Sequence, residues 1–489
     1  MLKLIFDTRS YLLATLLVAS YFSVGYFHPD EHFQVLEFAN SKLGLSSFDD
    51  LPWEYEFKSR QTLLPAIVYF VAKLLFFFNS YNPFLLIFLL RFFTGLLCFF
   101  LMLRISDTFV TDKSLTNTFF AICTLTFPTI STGIRFSAET ISGLLFFWAI
   151  IMHNSQNPTI LKQIFIGLLF GLSFFVRFQI IFAITGFLIY TLMKRETKIK
   201  VYVFYFLGAI IAISFGVIID FWFYDTFVFT PYNYFYAQII NGVVNQFGIY
   251  PFWYYPVLLL KSYDYFTGIL ILGIIIHNLI SNKTTVFNYI FISFLIGHSI
   301  IGHKEARFMF PMFFILPYWV LFSHNVIKAH ISSKLLKTLN ILLIVTFSIY
   351  TLNIIIKPQD KKVLMMEKLY NYLSYKKEPM TVVLTEYDFF YHEQTIKGYT
   401  SKKIYFNFYK SDLAKYIITN DLNKIDSIVS SNLKVLLVAN QQLAIPESTI
   451  NSTQISTTLP FYLEEINKKF KFETAYYLYY LNKRQTNLK

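Results

Sequence analysis

The run "FLLIFLLRFFTGLLCFFLML", residues 84–103, is twenty residues long and carries one charged side chain. As a helix rising 1.5 Å per residue it spans the ~30 Å apolar interior of a bilayer, which is the length a membrane crossing demands. Working outward, further apolar windows fall near 10–27, 61–78, 114–131, 138–153, 161–176, 178–193, 201–220, 264–281, 286–301, 308–323 and 335–356. Composition agrees: of 489 residues 55% are hydrophobic and only 15% charged, with 58 Phe and 35 Tyr. A soluble chain of this size needs more surface charge, so the sequence specifies an all-α polytopic membrane protein with about 11–13 transmembrane helices.

The net charge of +13 does not point to nucleic acid, because Lys and Arg of polytopic proteins collect in cytoplasmic loops. Cys98 and Cys123 both lie inside apolar runs, where neither a disulfide framework nor a CxxC metal site is available, and read as packing residues. The first run follows Lys3 and Arg9 as a signal sequence would, but no small-residue cleavage site follows it, which predicts a retained first span.

The basic connectors 194–200 and 324–334 belong in the cytoplasm. That places 221–263, 302–307 and everything after 357 on the outer side, and the basic N-terminus places 28–60 there too. The two walks differ by one crossing, so one window before residue 200 is expected to be re-entrant or merged with its neighbour. The multi-span domain thus covers 1–356. Residues 357–489 turn polar and read as a small soluble α/β domain on the outer side. Strands are expected at "TVVLTEY" (381–387), "KIYFNFY" (403–409), "KVLLVAN" (434–440) and "ETAYYLYYL" (473–481), and helices at "KKVLMMEKLYNYL" (361–373) and "LPFYLEEINKKF" (459–470).

Charged residues in such a chain need a reason. In "HPDEHF" (28–33), Pro29 turns His28 away from helical geometry, so Asp30 and Glu31 open the next helix, whose N-terminus favours their charge. They are either an acidic helix start at the membrane surface or a general base in a cleft at its edge. Glu37, further along, is expected to face solvent. His28 and His32 lack the further ligands that would complete a metal site.

In "LPWEYEFKSR" (51–60) the rings of Trp53, Tyr55 and Phe57 alternate with Glu54, Glu56 and Lys58. This suits interfacial anchoring, or a sugar that stacks on a ring and donates its hydroxyls to a carboxylate. Arg60 either holds a phosphate or snorkels. Arg135 and Glu139 have the i,i+4 spacing of a helical ion pair, and Arg177 with Gln179 marks either a turn or a functional charge. Residues 220–256, with Tyr232, Asn233, Trp253 and Tyr254, are too aromatic for a solvated loop and too broken by Pro and Gly for a span. They should lie in the interface as short helices and turns, forming a lipid or glycan groove or an aromatic belt. In "IGHKEARF" (301–308), His303, Lys304, Glu305 and Arg307 place cations where the positive-inside rule disfavours them, which an anionic ligand such as a phosphate explains.

Taken together, "HPDEHFQVLEFA", "WEYEFKSR", "FYDTFVFTPYNYF…NGVVNQFGIYPFWYY" and "HKEARFMFPM" resemble the Alg9-like mannosyltransferases, glycosyltransferase family 22, over residues 10 to about 325. Within these the chain is most similar to the enzymes that add the third mannose of glycosylphosphatidylinositol anchors. The resemblance implies a GT-C fold and transfer of mannose, with inversion, from a polyprenyl-phosphate donor (dolichyl-phosphate in eukaryotes) to a lipid-linked glycan acceptor. It implies Asp30 as base with Glu31 second, and His303, Lys304 and Arg307 at the donor phosphate, where Arg60 is expected to join them from its place at the entrance of the second span. His28, Trp53, Glu54, Tyr232, Asn233, Trp253 and Tyr254 would then contact substrate. Cations that hold a phosphate need neither cofactor nor metal, and neither a nucleotide-site DxD nor a P-loop occurs. The outer soluble domain suits a bacterial relative at the inner membrane, or the endoplasmic reticulum if the source is eukaryotic, where the sequon Asn451-Ser452-Thr453 would matter. A transporter or flippase would instead show midplane charges and an internal repeat. Nothing in the sequence reads the axial 2-hydroxyl of mannose, so another hexose stays open.

Overall fold

The structure, a computed structural model, describes residues 7–154, 159–195, 197–262, 265–282, 284–328, 330, 332–386, 391–394, 402–405, 407–431, 434–440, 450–459 and 475–483. Each apolar window forms a helix. In order these are Thr8–Phe22, Leu63–Phe77, Pro83–Phe109, Thr116–Leu125, Ala138–Asn154, Ile160–Val176, Ile181–Lys194, Ile199–Tyr224, Tyr265–Ser281, Val286–Ile300, Leu316–Lys328 and Ser333–Ile356. The opening run starts where Asn82 Oδ1 accepts from the amides of Phe84 and Leu85, with Pro83 in the first turn.

Among the described residues, Pro83–Phe109, Ile199–Tyr224 and Ser333–Asn353 are each long and apolar enough to cross a membrane alone. Three further pairs pass that test together but bend, Phe127–Gly133 with Ala138–Asn154 by 103°, Tyr265–Ser281 with Val286–Ile300 by 120°, and Ala306–Phe314 with Leu316–Lys328 by 64°. Before residue 200, Thr126 and residues 134–137 interrupt the helices of 116–154.

Packing between Ile160–Val176 and Ile199–Tyr224 is the closest in the bundle. A Cβ on Gly167 would stand 2.1 Å from the Tyr205 carbonyl oxygen, and one on Gly208 would stand 2.0 Å from that of Ile164. Only glycine lets the backbones touch, which is how membrane helices associate when apolar burial offers little gain over lipid. Outward, Phe77, Phe93, Phe206 and Ile218 are more than half exposed, an apolar surface that suits acyl chains rather than water.

After Ser333–Ile356 the chain enters the α/β domain. Its strands are β1 (Met380–Leu384), β2 (Tyr391–Gln394), β3 (Lys402–Tyr405), β4 (Ala414–Ile418), β5 (Val435–Ala439), β6 (Ile450–Thr457) and β7 (Tyr477–Lys483). Five form a sheet in the order β4-β1-β5-β7-β6, with β1 parallel to β4 and β5, and β7 antiparallel to β5 and β6. Strands β2 and β3 pair separately. The expected strand 403–409 is shorter than its pattern, since β3 ends at Tyr405 and Phe408–Tyr409 lie in a turn. Strands β4 and β6 lack a readable apolar period, whereas the helix Leu422–Ser431, not among the expected elements, carries one in Leu422, Ile425, Ile428 and Val429, with Ile425 and Val429 buried. The expected helix 459–470 lies, beyond Leu459, outside the described residues. Helix Lys361–Lys376 docks the sheet on the bundle, with Val363, Met366 and Leu369 in one buried cluster with Leu64, Val68 and Phe84.

Candidate active site

Pro29 opens the three-residue helix Pro29–Glu31, and His28 caps it in extended geometry, its Nδ1 accepting from the Asp30 amide at 3.2 Å. The chain continues through a π-turn, His32–Leu36, into Glu37–Lys42. π-turns inside helices are frequent at functional sites. Asp30 is thereby presented to a cavity of ~820 Å³ enclosed by this segment, the 52–60 connector, the break at 177–179, the 231–247 segment and residues 301–308.

Inside it, Asp30 Oδ2 lies 2.7 Å from Arg307 Nη1. Arg307 Nε donates to Glu305 Oε2 at 2.5 Å, and Glu305 is approached by His303 Nε2 at 2.6 Å and His28 Nε2 at 3.1 Å. Deeper, Glu139 Oε1 stands 3.2 Å from Arg177 Nη2 and 3.6 Å from Arg307 Nη1, and the Phe308 ring carries both guanidinium groups at 5.1 and 5.3 Å. Across the cavity, Gln34 Nε2 donates to Glu54 Oε1 at 2.7 Å, with Arg60 Nη2 3.8 Å from the same oxygen.

These contacts set the protonation states. Burial pushes the Asp30 carboxyl up, but Arg307, His28 and Arg60 together hold it below the ordinary value. Glu305 is held far below the carboxylate range, since hydrogen bonds from His28 and His303 and the charge of Arg307 outweigh its burial. Glu54 goes the other way, to about 7, because burial outweighs Arg60. Asp30 is therefore ionised at neutral pH, while Glu54 is poised to exchange a proton.

Of the residues singled out in the sequence, His28, Asp30, Trp53, Glu54, Arg60, His303 and Arg307 all line this cavity. Others do not. Glu31 turns away to Arg135 Nη1 at 3.6 Å and the Phe27 amide at 3.4 Å, because the next residue on a helix points about 100° from its neighbour. Lys304 points opposite to its neighbours in extended chain and donates to the carbonyls of Ile301 and Tyr250 at 2.7 and 3.2 Å, so it does not meet the cavity. Asn233 Nδ2 instead clamps the Lys58 and Phe57 carbonyls at 3.1 and 3.3 Å, and Tyr232 and Trp253 project outward, 58% and 65% exposed. Tyr254 stacks on Tyr250 with centroids 4.3 Å apart. The 231–247 segment faces the cavity with Pro231, Tyr234, Phe235, Gln238 and Ile239, the i, i+3, i+4, i+7, i+8 stripe of a helical face. That spacing is legible in the sequence and names Tyr234 and Gln238 in place of Tyr232 and Asn233.

Two further expectations change. Arg135 and Glu139 are not a helical pair, because the helix begins only at Ala138; Arg135 meets Glu31 and Glu139 meets Arg177. Arg177 is a turn residue, sitting between Ile160–Val176 and the following helix, and it also lines the cavity. Glu37 is 2% exposed rather than solvent-facing, its carboxylate held by His32. Among the described residues no group of three or more His, Cys, Asp or Glu side chains is placed to hold a metal ion.

Asp30 thus stands beside Arg307 in a pocket walled by rings, where Phe308 carries the Arg177 and Arg307 guanidinium groups. The family model of the Alg9-like mannosyltransferase family matches residues 9–386, and the chain belongs to that family. It is a glycosyltransferase that moves mannose, integral to a membrane. No curated protein and no solved structure matches it.

Proposed function

We propose that the chain is an inverting mannosyltransferase that takes its sugar from a polyprenyl-phosphate and delivers it to a lipid-linked glycan at the outer membrane face, Asp30 being the base. The carrying observation is the 2.7 Å contact of Asp30 with Arg307 inside the cavity. The acceptor oxygen bonds to C1 of mannose as its proton passes to the Asp30 carboxylate. The bond from C1 to the phosphate oxygen breaks on the opposite face, and its electron pair leaves with the phosphate. Arg307, Arg177 and Arg60 are the cations within reach of that phosphate. Lys304, spent on backbone carbonyls, is replaced in this role by Arg177. Trp53 offers a ring to the sugar, and Gln34 and Glu54 offer polar groups to hydroxyls. The apolar lining from Phe178, Phe182, Phe235 and Ile239 suits an isoprenoid chain. The α/β domain shares the outer side, and the bacterial inner membrane is the membrane its composition suits.

The test is transfer of labelled mannose from polyprenyl-phosphate-mannose to lipid acceptors by detergent-purified protein. Asp30→Asn should cut the rate by about 100-fold or more while thermal melting stays unchanged. Undiminished transfer by that variant removes Asp30 as base, and transfer from nucleotide-linked mannose alone removes the lipid donor.

A further inference from the structure

Behind the helix that carries Asp30 lies a buried acid with a partner from the far end of the chain. His32, with no exposed side chain, bonds through Nε2 to Glu37 Oε1 at 2.8 Å. The same carboxylate oxygen accepts from the Phe408 amide at 2.9 Å, in the turn that follows β3. The Tyr409 ring stacks on His32 at 5.1 Å and on Phe84 at 4.9 Å, nearly parallel to both. Two outlying ties flank this stack. Asn407 Nδ2 donates to Asp50 Oδ2 at 2.7 Å, and the amides of Gln359 and Asp360 donate to the Val24 carbonyl at 2.8 and 3.2 Å.

The segment from Val24 to Asp50 is therefore gripped by the α/β domain on both sides of Asp30, while the acid itself faces the cavity. Simple docking does not need this. A buried carboxylate carries a desolvation cost, and apolar side chains of equal size would join two surfaces at least as well. What the polar bonds add is direction, since a carboxylate shared by a ring nitrogen and a backbone amide holds one orientation. The π-turn between the grip and Asp30 is short and buried, so a displacement of Glu37 is passed on.

We propose that the His32–Glu37 pair, held by the Phe408 amide and the Tyr409 ring, positions Asp30, so that the α/β domain is a working part of the active site. This rests on Asp30 being the base. Purified full-length Tyr409→Ala and Glu37→Ala proteins should lose about tenfold or more in kcat with KM for polyprenyl-phosphate-mannose within about twofold, since misplacing a catalytic group by an ångström costs rate rather than binding. Tyr409→Phe, which keeps the ring, should match wild type. Hydrogen exchange in Tyr409→Ala should quicken over residues 28–42 and stay unchanged over 181–194, which the Tyr409 ring does not touch. Wild-type kcat in Tyr409→Ala overturns the proposal, as does a fall in kcat with no change in exchange at 28–42. Should Glu37→Ala not fold, Tyr409→Ala decides, because it removes a ring and strands no charge. Full activity of Asp30→Asn would overturn the base assignment by itself, so the two failures are told apart.

Discussion

Arg307 holds Asp30 through Nη1 and Glu305 through Nε, so one guanidinium fixes two acids at once. Glu54 behaves differently, and its burial makes a pH prediction. Its folded value of about 7 lies above the ordinary 4.5, so the folded state binds this proton more tightly than the unfolded chain. The stability it supports is complete below 4.5 and is lost as pH rises toward 7. Melting of wild type relative to Glu54→Gln should therefore fall by up to ~3 kcal/mol across that interval; parallel curves would contradict the assignment. At this scale the sequence showed "HPDE" plainly, because proline dictates a break and acids favour a helix start. It hid the fate of Glu37, whose amide partner is 371 residues away. It also hid the direction of Lys304, since adjacency in a charged cluster does not say which side chains share a face.

Among the elements, the helices Ile160–Val176 and Ile199–Tyr224 are the most constrained pair. The former ends at Arg177 and the latter carries Asp220, whose carboxylate accepts from the Thr62 amide at 2.8 Å and the Thr230 hydroxyl at 2.6 Å. Their glycine contact thus sets the placement of two walls of the cavity. Gly167→Leu should force the backbones apart and abolish transfer or folded yield, since the Tyr205 carbonyl cannot retreat along its own helix. A Gly167→Leu protein of normal activity would show that the contact is dispensable. Apolar windows made every one of these helices legible. The breaks at 134–137 and at Arg177 were legible as gaps between windows, but the size of a bend, such as the 103° between Phe127–Gly133 and Ala138–Asn154, was not, because hydropathy carries no direction. In the α/β domain the fully buried strands β1 and β5 read as continuous apolar runs, whereas the half-exposed β4 and β6 carry too much polar sequence to be seen.

For the molecule as a whole, the reading turns on sidedness. The cavity and the α/β domain are joined by the grip on residues 24–50, so they must face the same compartment. A cysteine at Ser431 should react with a membrane-impermeant maleimide added to the outer face of intact cells, whereas one at Lys198 should react only after permeabilisation. Cys98 and Cys123 are both fully buried and contribute little background. The reverse pattern would move the active site to the cytoplasm. Loop charge alone is what assigns these compartments, whereas the family was recognised from motifs held in one order and is shown by the family match. It could not show that the last domain reaches back to the first loop, because that contact is made by a turn with no pattern of its own.

Asp30 and Glu31 stand one register step apart, on opposite sides of the partition between the cavity and Arg135, and the π-turn at His32–Leu36 is a helix already holding one residue more than an α-turn needs. The bookkeeping of insertions and deletions in this segment is therefore chemical. One residue gained between 32 and 36 would carry Glu31 to the register Asp30 holds, and one residue lost would carry Asp30 to that of Glu31. Two chains aligned across this turn with a single-residue slip would look equally helical and would assign the proton to different acids.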